Sequence, residues 1–135
     1  MKKMMLCLFF VSNIITILKA QDTSMENITC KQSSELIQQH SNDTNFIILD
    51  LRTEQMYNEG HIENSLFHDV FSADFEGWLN TLDKNKTYLL YCNVGHRSGI
   101  ALDKMEQAGF KNLYHLYEGI REWEKQGFEV VKQTY

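Results

Sequence analysis

The chain has 135 residues, with 18 acidic side chains against 13 basic ones and a formal net charge of −5. This length predicts a single domain, large enough to bury a core without disulfides. No basic stripe offsets the acidic balance, which argues against nucleic acid and anionic lipid as partners. The 3 cysteines are too few for a disulfide scaffold.

Residues 1–20 have the layout of a secretory signal peptide. They open with two lysines, run apolar and uncharged from Met4 to Leu18, and end at the small residue Ala20. A helix of that apolar length reaches about 22 Å, short of the roughly 30 Å hydrocarbon core. We therefore expect export to the periplasm or the medium, with cleavage near Ala20. Lys19 fits a cleavage site imperfectly, so an uncleaved membrane tether is the alternative.

The remaining 21–135 segment is more acidic than the full chain. Removing the lysines at positions 2, 3 and 19 from the 13 bases leaves 10 against 18 acids, a net charge near −8. Residues 21–26 are polar and predict a short flexible lead-in before a domain over residues 27–135. Two cysteines, Cys30 and Cys92, remain in this segment.

Five short apolar segments predict β-strands. Segments that are apolar on both faces are typical of buried parallel strands. The five segments are Asn27–Cys30, Phe46–Leu51, Ser65–Val70, Tyr88–Cys92 and Asn112–Tyr117. The first of them is the weakest candidate.

Helices are predicted between these strands. Phe71, Phe75, Trp78, Leu79 and Leu82 have the spacing of one helix face. Strand and helix alternate about five times, which predicts an α/β domain with a mostly parallel sheet and helices on both faces. The other helices are predicted after a cap at Ser33 or Ser34, from Thr53 to Gly60, from about Arg97 or Ser98 to Gly109, and around Ile120 and Trp123 to near Gly127.

The segment CNVGHRSG follows the fourth strand and carries the candidate chemistry. In parallel α/β sheets, ligands bind beyond the carboxyl ends of the strands, which is where Cys92 lies. Gly95 permits a sharp turn whose backbone N–H groups can cradle an anion at a helix N-terminus. That terminus, Arg97 and a protonated His96 favour the thiolate. We interpret Cys92 as a nucleophile rather than as a small buried hydrophobe.

Three segments in order resemble the rhodanese-type sulfurtransferases: ILDLRTEQMYNEGHIENS, CNVGHRSG and AGFKNLYHLYEGIREW. The resemblance covers almost all of the 21–135 segment. It implies one α/β domain with a five-stranded parallel sheet. Cys92 would take a sulfane sulfur from thiosulfate or a persulfide and pass it, as a cysteine persulfide, to a thiol, protein or cyanide-type acceptor. The resemblance requires no metal and no organic cofactor.

The resemblance also assigns the site. The loop of Asn93, Val94, Gly95, His96 and Arg97 would hold the anionic donor and then the persulfide through backbone N–H groups. Two departures affect local turns. Glu63, Asn64 and Ser65 stand where the family often has Pro-Gly-Ala, and Glu118 replaces the first glycine of the closing turn.

Asp50 and Arg52 flank the end of a strand and are predicted to form a supporting ion pair that orients neighbouring loops, with direct substrate contact as the alternative. His61, His68 and His115 are interpreted as packing, capping, core or surface residues. The five histidines show no metal-ligand spacing.

Cys30 is expected to be structural. The family's strand order leaves one strand between Cys30 and Cys92, so their Cα atoms would lie about 10 Å apart or more. A relaxed disulfide requires less than about 7 Å.

Two other functions compete with sulfur transfer. The first is a persulfide carrier or sensor that acts with a partner protein. The second is a thiol phosphatase or arsenate reductase, whose relatives have one more residue between cysteine and arginine than the four found here, Asn93 to His96. The shorter loop favours sulfur. We expect a monomer.

Overall fold

The computed structural model describes residues 23–133. The predicted signal peptide lies outside the described residues. Within 23–133, no helix is both long enough and apolar enough to cross a membrane. Strands and helices alternate as β1 (Ser24–Ile28), α1 (Cys30–Gln39), β2 (Phe46–Asp50), α2 (Glu54–Glu59), β3 (Leu66–Phe67), α3 (Phe75–Leu79), β4 (Thr87–Tyr91), α4 (His96–Gln107), β5 (Asn112–Leu116) and α5 (Gly119–Lys125).

The five strands form one sheet in the order β1-β5-β4-β2-β3, and every neighbouring pair is parallel. Two apolar clusters cover its two faces. One joins α3 and α4 to the sheet through Phe75, Leu90 and Met105. The other joins α1 and α5 to the sheet through Cys30, Leu89 and Trp123. The predicted fold class is confirmed.

The N-terminal boundaries differ from the prediction. Strand β1 begins at Ser24, which pairs with Asn112, so residues 24–26 are not a flexible lead-in. Cys30 begins helix α1 instead of ending a strand. The reason is a capping box: the Thr29 side chain accepts from the Gln32 N–H, and the Gln32 side chain accepts from the Thr29 N–H. The predicted cap Ser33 is therefore a buried residue inside the helix.

The region between β3 and β4 also differs, because β3 and α3 are shorter than predicted. Asp69 forms a local turn: its carboxylate accepts the Phe71 N–H at 3.0 Å, and its carbonyl accepts the Ser72 hydroxyl at 2.8 Å. Such side-chain bonds compete with helix formation. Phe71, predicted on the buried helix face, is consequently 59% exposed.

Other boundaries match. Thr53 caps α2 by accepting the Met56 N–H, and Gly60 follows its last residue. Gly109 and Gly127 have positive φ just beyond α4 and α5, as helix-ending glycines do.

Candidate active site

Cys92 lies directly after the last residue of β4, at the carboxyl edge of the sheet, and is 1% exposed. Its Sγ accepts the backbone N–H of Gly95 at 3.2 Å and the hydroxyl of Ser98 at 3.3 Å. Both donors point at the same sulfur. Hydrogen bonds to the charged form favour that form, so this arrangement suits a thiolate or a persulfide anion.

Gly95 gives the loop its shape. It has φ of 95° and is the N-cap of α4. A Cβ at this position would lie 2.3 Å from the Tyr117 carbonyl oxygen. Any other residue here would be strained by the left-handed backbone conformation and would clash with this oxygen, whereas glycine has no Cβ and avoids both penalties. The turn at Gly95 is what directs its N–H to Cys92.

The start of α5 holds the loop from the other side. The Ile120 N–H donates to the Cys92 carbonyl at 2.9 Å, and the Arg121 N–H donates to the Asn93 carbonyl at 3.2 Å. Gly119 has φ of 77°, and a Cβ there would lie 2.2 Å from the Asn93 carbonyl oxygen. The two backbone segments thus pack without space for a side chain. Gly119 is a positioning residue that the sequence did not single out.

Cys92 and its loop line an open pocket of about 300 Å³. Two of its residues, Phe71 and Val94, are each 59% exposed and give it an apolar rim. Phe71 was missed as a site residue because its helical spacing predicted a core position. The complete lining is Phe71, Cys92, Asn93, Val94, His96 and Arg97, so all predicted loop residues except Gly95 face this pocket.

Arg97 brings positive charge to the pocket. Its guanidinium carbon lies 5.6 Å from the centroid of the Phe71 ring, and its Nη1 lies 3.4 Å from the Met56 sulfur. Within residues 23–133, no carboxylate forms an ion pair with Arg97. Its charge is therefore available to an anionic ligand.

The rhodanese-like domain model matches residues 33–126 of the chain. The protein belongs to the rhodanese-like family. It is 34% identical over 104 residues to the tRNA uridine(34) hydroxylase of Pelagibacter ubique, a match that covers 76% of this chain and 33% of that protein. The enzyme of the same name from Yersinia pestis is 31% identical over 107 residues, covering 76% of this chain and 30% of the other. The chain thus spans about a third of these curated relatives.

Solved rhodanese-related structures superpose on this domain. A rhodanese-related protein from Thermoplasma volcanium has a TM-score of 0.68 at 25% identity, covering 80% of this chain and 99% of that one. A rhodanese-like domain protein from Staphylococcus aureus has a TM-score of 0.65 at 24% identity, covering 82% and 100% of the two chains. The second likeness shows the fold alone.

The departures from the family pattern have local structural explanations. The Glu118 carboxylate accepts the Cys30 N–H at 2.6 Å, which ties the start of α1 to the turn before α5. Asn64 takes a positive φ of 62°, a conformation that asparagine tolerates. Ser65 places its hydroxyl 3.2 Å from the Tyr91 hydroxyl. None of these residues lines the pocket that Cys92 lines.

Asp50 and Arg52 form the predicted ion pair in this rhodanese-like domain. Arg52 Nη2 lies 2.7 Å from Asp50 Oδ2, and the two residues are 5% and 0% exposed. The same Nη2 donates to the Gly60 carbonyl at 2.7 Å. Arg52 therefore connects the end of β2 to the end of α2, and neither residue lines the pocket that Cys92 lines.

The remaining candidates take other places. His61 stacks on Tyr57 with ring centroids 3.7 Å apart, and His68, just beyond β3, stacks on Trp78 at 4.3 Å. Cys30 and Cys92 are both free and buried, with β5 between their neighbouring strands. Over residues 23–133, no group of three histidine, cysteine or acidic side chains is arranged to hold a metal ion.

Proposed function

We propose that this rhodanese-like domain is a sulfurtransferase that moves a sulfane sulfur through a Cys92 persulfide. The supporting observation is the set of groups that surround the Cys92 sulfur. Cys92 Sγ has two hydrogen-bond donors beside it, and Cys92 lines a small pocket together with Arg97. A small, anionic sulfur compound such as thiosulfate or a persulfide suits both the charge and the volume of that pocket.

The first half-reaction loads the enzyme. The Cys92 thiolate attacks the outer sulfur of thiosulfate, the sulfur–sulfur bond of the donor breaks, and its electron pair leaves with sulfite. The persulfide anion then lies where the thiolate lay. Arg97 and the backbone N–H groups of the loop, of which Gly95 already donates to the sulfur, stabilise the negative charge throughout.

The second half-reaction unloads it. A thiolate or cyanide acceptor attacks the outer sulfur of the persulfide, and the bond to Cys92 breaks with the electron pair remaining on Cys92. The enzyme returns to its starting state, so the cycle is ping-pong and consumes no oxidant or reductant.

A persulfide carrier is the second candidate, and the exposed rim of Phe71 and Val94 favours it. An apolar rim around a buried sulfur suits contact with a protein acceptor. Slow turnover with thiosulfate and small thiols, together with rapid transfer to one protein partner, would identify a carrier. A chromogenic phosphate ester would test the phosphatase alternative, and we expect no hydrolysis.

RNA is not part of the proposed function, although the two relatives are named for tRNA. The 21–135 segment has 10 basic residues against 18 acidic ones, and proteins that bind RNA need positive charge along their contact surface. We expect no tRNA complex in a gel-shift measurement at about 0.15 M salt. A stable complex would make RNA a candidate substrate.

Intact-mass spectrometry tests the proposal. Incubation with thiosulfate is expected to add one sulfur atom that a reductant removes. Cys92→Ser should gain none, while the control Cys30→Ser should gain one like the wild type. The same gain in Cys92→Ser would reject the assignment.

We also propose that the protein is exported and cleaved near Ala20. The composition of residues 1–20 supports this. The starting mass of the protein purified from its native host distinguishes a chain beginning at Gln21 from one retaining Met1, which would favour the uncleaved tether.

A further inference from the structure

A chain of polar contacts runs from Cys92 to the edge of the sheet. The buried Ser98 hydroxyl lies 3.3 Å from Cys92 Sγ and 2.8 Å from His115 Nε2. The other ring nitrogen, His115 Nδ1, lies 2.9 Å from Asn27 Oδ1. Ser98 is 0% and His115 is 6% exposed, whereas Asn27 is exposed. The contacts therefore connect the buried sulfur to a solvent-facing residue.

The fold brings these four residues together from distant parts of the sequence. Asn27 and His115 are directly paired in the parallel ladder of β1 and β5. His115 in turn pairs with Leu90 on β4, two residues before Cys92. Since side chains alternate between faces, Leu90, Cys92, Asn27 and His115 share one face. Ser98, in the first turn of α4, lies between the histidine and the sulfur.

The hydrogen atoms of this chain can be assigned consistently in two states. Since Asn27 Oδ1 accepts from Nδ1, the ring hydrogen of neutral His115 is on Nδ1 and Nε2 is an acceptor. In the first state, the single Ser98 hydrogen donates to His115 Nε2 and the Cys92 thiol donates to Ser98 Oγ. The donation from the Ser98 hydroxyl to Cys92 Sγ belongs to the second state. In the second state, His115 is protonated and Nε2 donates to Ser98 Oγ, while the Ser98 hydroxyl donates to the Cys92 thiolate. No group is left without a partner in either state.

The surroundings favour a neutral ring at rest. Burial lowers the pKa of His115, while the Gly95 backbone and Asp103 act in the opposite direction. Asp103 belongs to α4, the helix that also supplies Ser98, and the residues that pair with His115 on the two neighbouring strands, Asn27 and Leu90, are uncharged. A buried neutral imidazole beside a thiol can accept a proton when the cysteine reacts.

We propose that Ser98 and His115 form a buried proton relay for Cys92, with Asn27 holding the ring in the tautomer that accepts. This rests on the proposed function of Cys92. Before sulfur loading, the thiol proton passes to Ser98 Oγ as the Ser98 proton passes to His115 Nε2, which leaves a thiolate and an imidazolium. When the acceptor removes the outer sulfur, the same two protons move back and Cys92 returns to the thiol. Ser98 and His115 are thus positioning residues that act through Cys92.

Alkylation of Cys92 by iodoacetamide tests the relay without any sulfur donor. We expect Ser98→Ala to slow alkylation about ten-fold at neutral pH, since it removes a hydrogen bond to a charged sulfur. Ser98→Thr should retain the wild-type rate because it keeps the hydroxyl. His115→Gln should slow the reaction and move its pH profile to higher pH. Profiles of Ser98→Ala and His115→Gln that overlie the wild type would overturn the relay.

The matched control is His40→Gln, which changes a partly exposed histidine that contacts Asp43 and Phe46. It should leave the alkylation profile unchanged. If a relay variant fails to fold, an NMR titration of the His115 ring in the wild type and in Cys92→Ser provides the test. The relay predicts different His115 midpoints in these two proteins, because the imidazolium of the wild type forms together with the Cys92 thiolate, whose negative charge stabilises it, whereas serine supplies no such charge. Equal midpoints would overturn it.

The relay and the sulfurtransferase can fail separately. A wild type that gains no sulfur from thiosulfate, but whose Ser98→Ala variant is alkylated slowly, would refute the proposed function and support the relay. A wild type that gains sulfur while all the alkylation profiles coincide would do the reverse.

Discussion

Cys30 and Cys92 are both buried and both lie next to the N-terminus of a helix, yet their surroundings are opposite. Cys30 lies beside carboxylates: burial, Glu118 and Glu122 raise its pKa to about 12. Cys92 instead accepts hydrogen bonds from the Gly95 N–H and the Ser98 hydroxyl. One thiol is held protonated, and the other is surrounded by donors.

The comparison shows that a helix N-terminus does not by itself make a cysteine reactive. The terminus of α1 is already satisfied at Cys30 by the Glu118 carboxylate, which contributes a negative charge. At Cys92 the loop has turned before α4 begins, so a backbone N–H reaches the sulfur itself. The groups that neighbour the sulfur decide which cysteine can act as a nucleophile.

The largest expected difference between the two cysteines is in their rates of alkylation. Iodoacetamide should modify Cys92 at least about a hundred-fold faster than Cys30 at neutral pH, since the thiolate is the reactive form. Peptide mass spectrometry of the folded protein gives the two rates separately. Comparable rates at the two positions would contradict the comparison.

Gly119→Ala should displace the loop that surrounds Cys92. A Cβ would lie 2.2 Å from the Asn93 carbonyl oxygen, in a backbone conformation with φ of 77°. We expect a loss of about 3 kcal/mol in the free energy of unfolding and about a hundred-fold loss of sulfur transfer, since the loop must move. Urea unfolding and a thiosulfate assay measure the two effects.

Gly127→Ala is the matched control, because Gly127 has a similar φ of 85° and no neighbouring atom within 4 Å of the added Cβ. It should cost about 1 kcal/mol for the left-handed backbone and leave sulfur transfer intact. Equal losses of stability and of sulfur transfer in the two variants would mean that the contact between Gly119 and the loop contributes to neither.

Arg97→Ala should weaken donor binding at Cys92. The variant removes a guanidinium that no carboxylate of residues 23–133 neutralises, and we expect the KM for thiosulfate to rise about ten-fold. Arg97→Lys, which keeps the charge, should show a smaller rise. An unchanged KM in Arg97→Ala would remove Arg97 from the donor site.

Much of the fold was predictable because its signals are local. Continuous apolar segments marked the strands, and Thr53, Gly60, Gly109 and Gly127 marked helix ends that the structure contains. The start of α1 was also encoded locally, since Thr29 and Gln32 have the spacing of a capping box, but the apolar run NITC was interpreted as a strand.

The site was predictable only where it is contiguous in sequence. The loop from Cys92 to Arg97 is one segment, so its geometry followed from strand, glycine and helix. Ser98 and His115 meet across 17 positions, and His115 and Asn27 across 88. Such contacts depend on strand order and register, which a single sequence does not determine. Phe71 was misplaced because the turn at Asp69 interrupts its helical spacing.

The smallest expected effect concerns Cys30 and the pH dependence of stability. Its folded pKa of about 12 lies above the ordinary value of 9.0, so the thiol stays protonated in the folded chain while it ionises in the unfolded chain. This contribution is fully present below pH 9 and is lost as pH rises toward 12. Wild-type stability should therefore fall faster than that of Cys30→Ser above pH 9, by up to about 1.4 kcal/mol per pH unit.

Urea unfolding of both proteins between about pH 8 and pH 11 measures this difference, in which contributions from tyrosines and lysines cancel. Glu118→Gln should reduce the slope without abolishing it, because burial is the larger cause and remains. Parallel profiles of the wild type and Cys30→Ser would show that the carboxylates leave Cys30 as easy to ionise in the folded chain as in the unfolded one. The contrast with Cys92 would then depend on the donors at Cys92 alone.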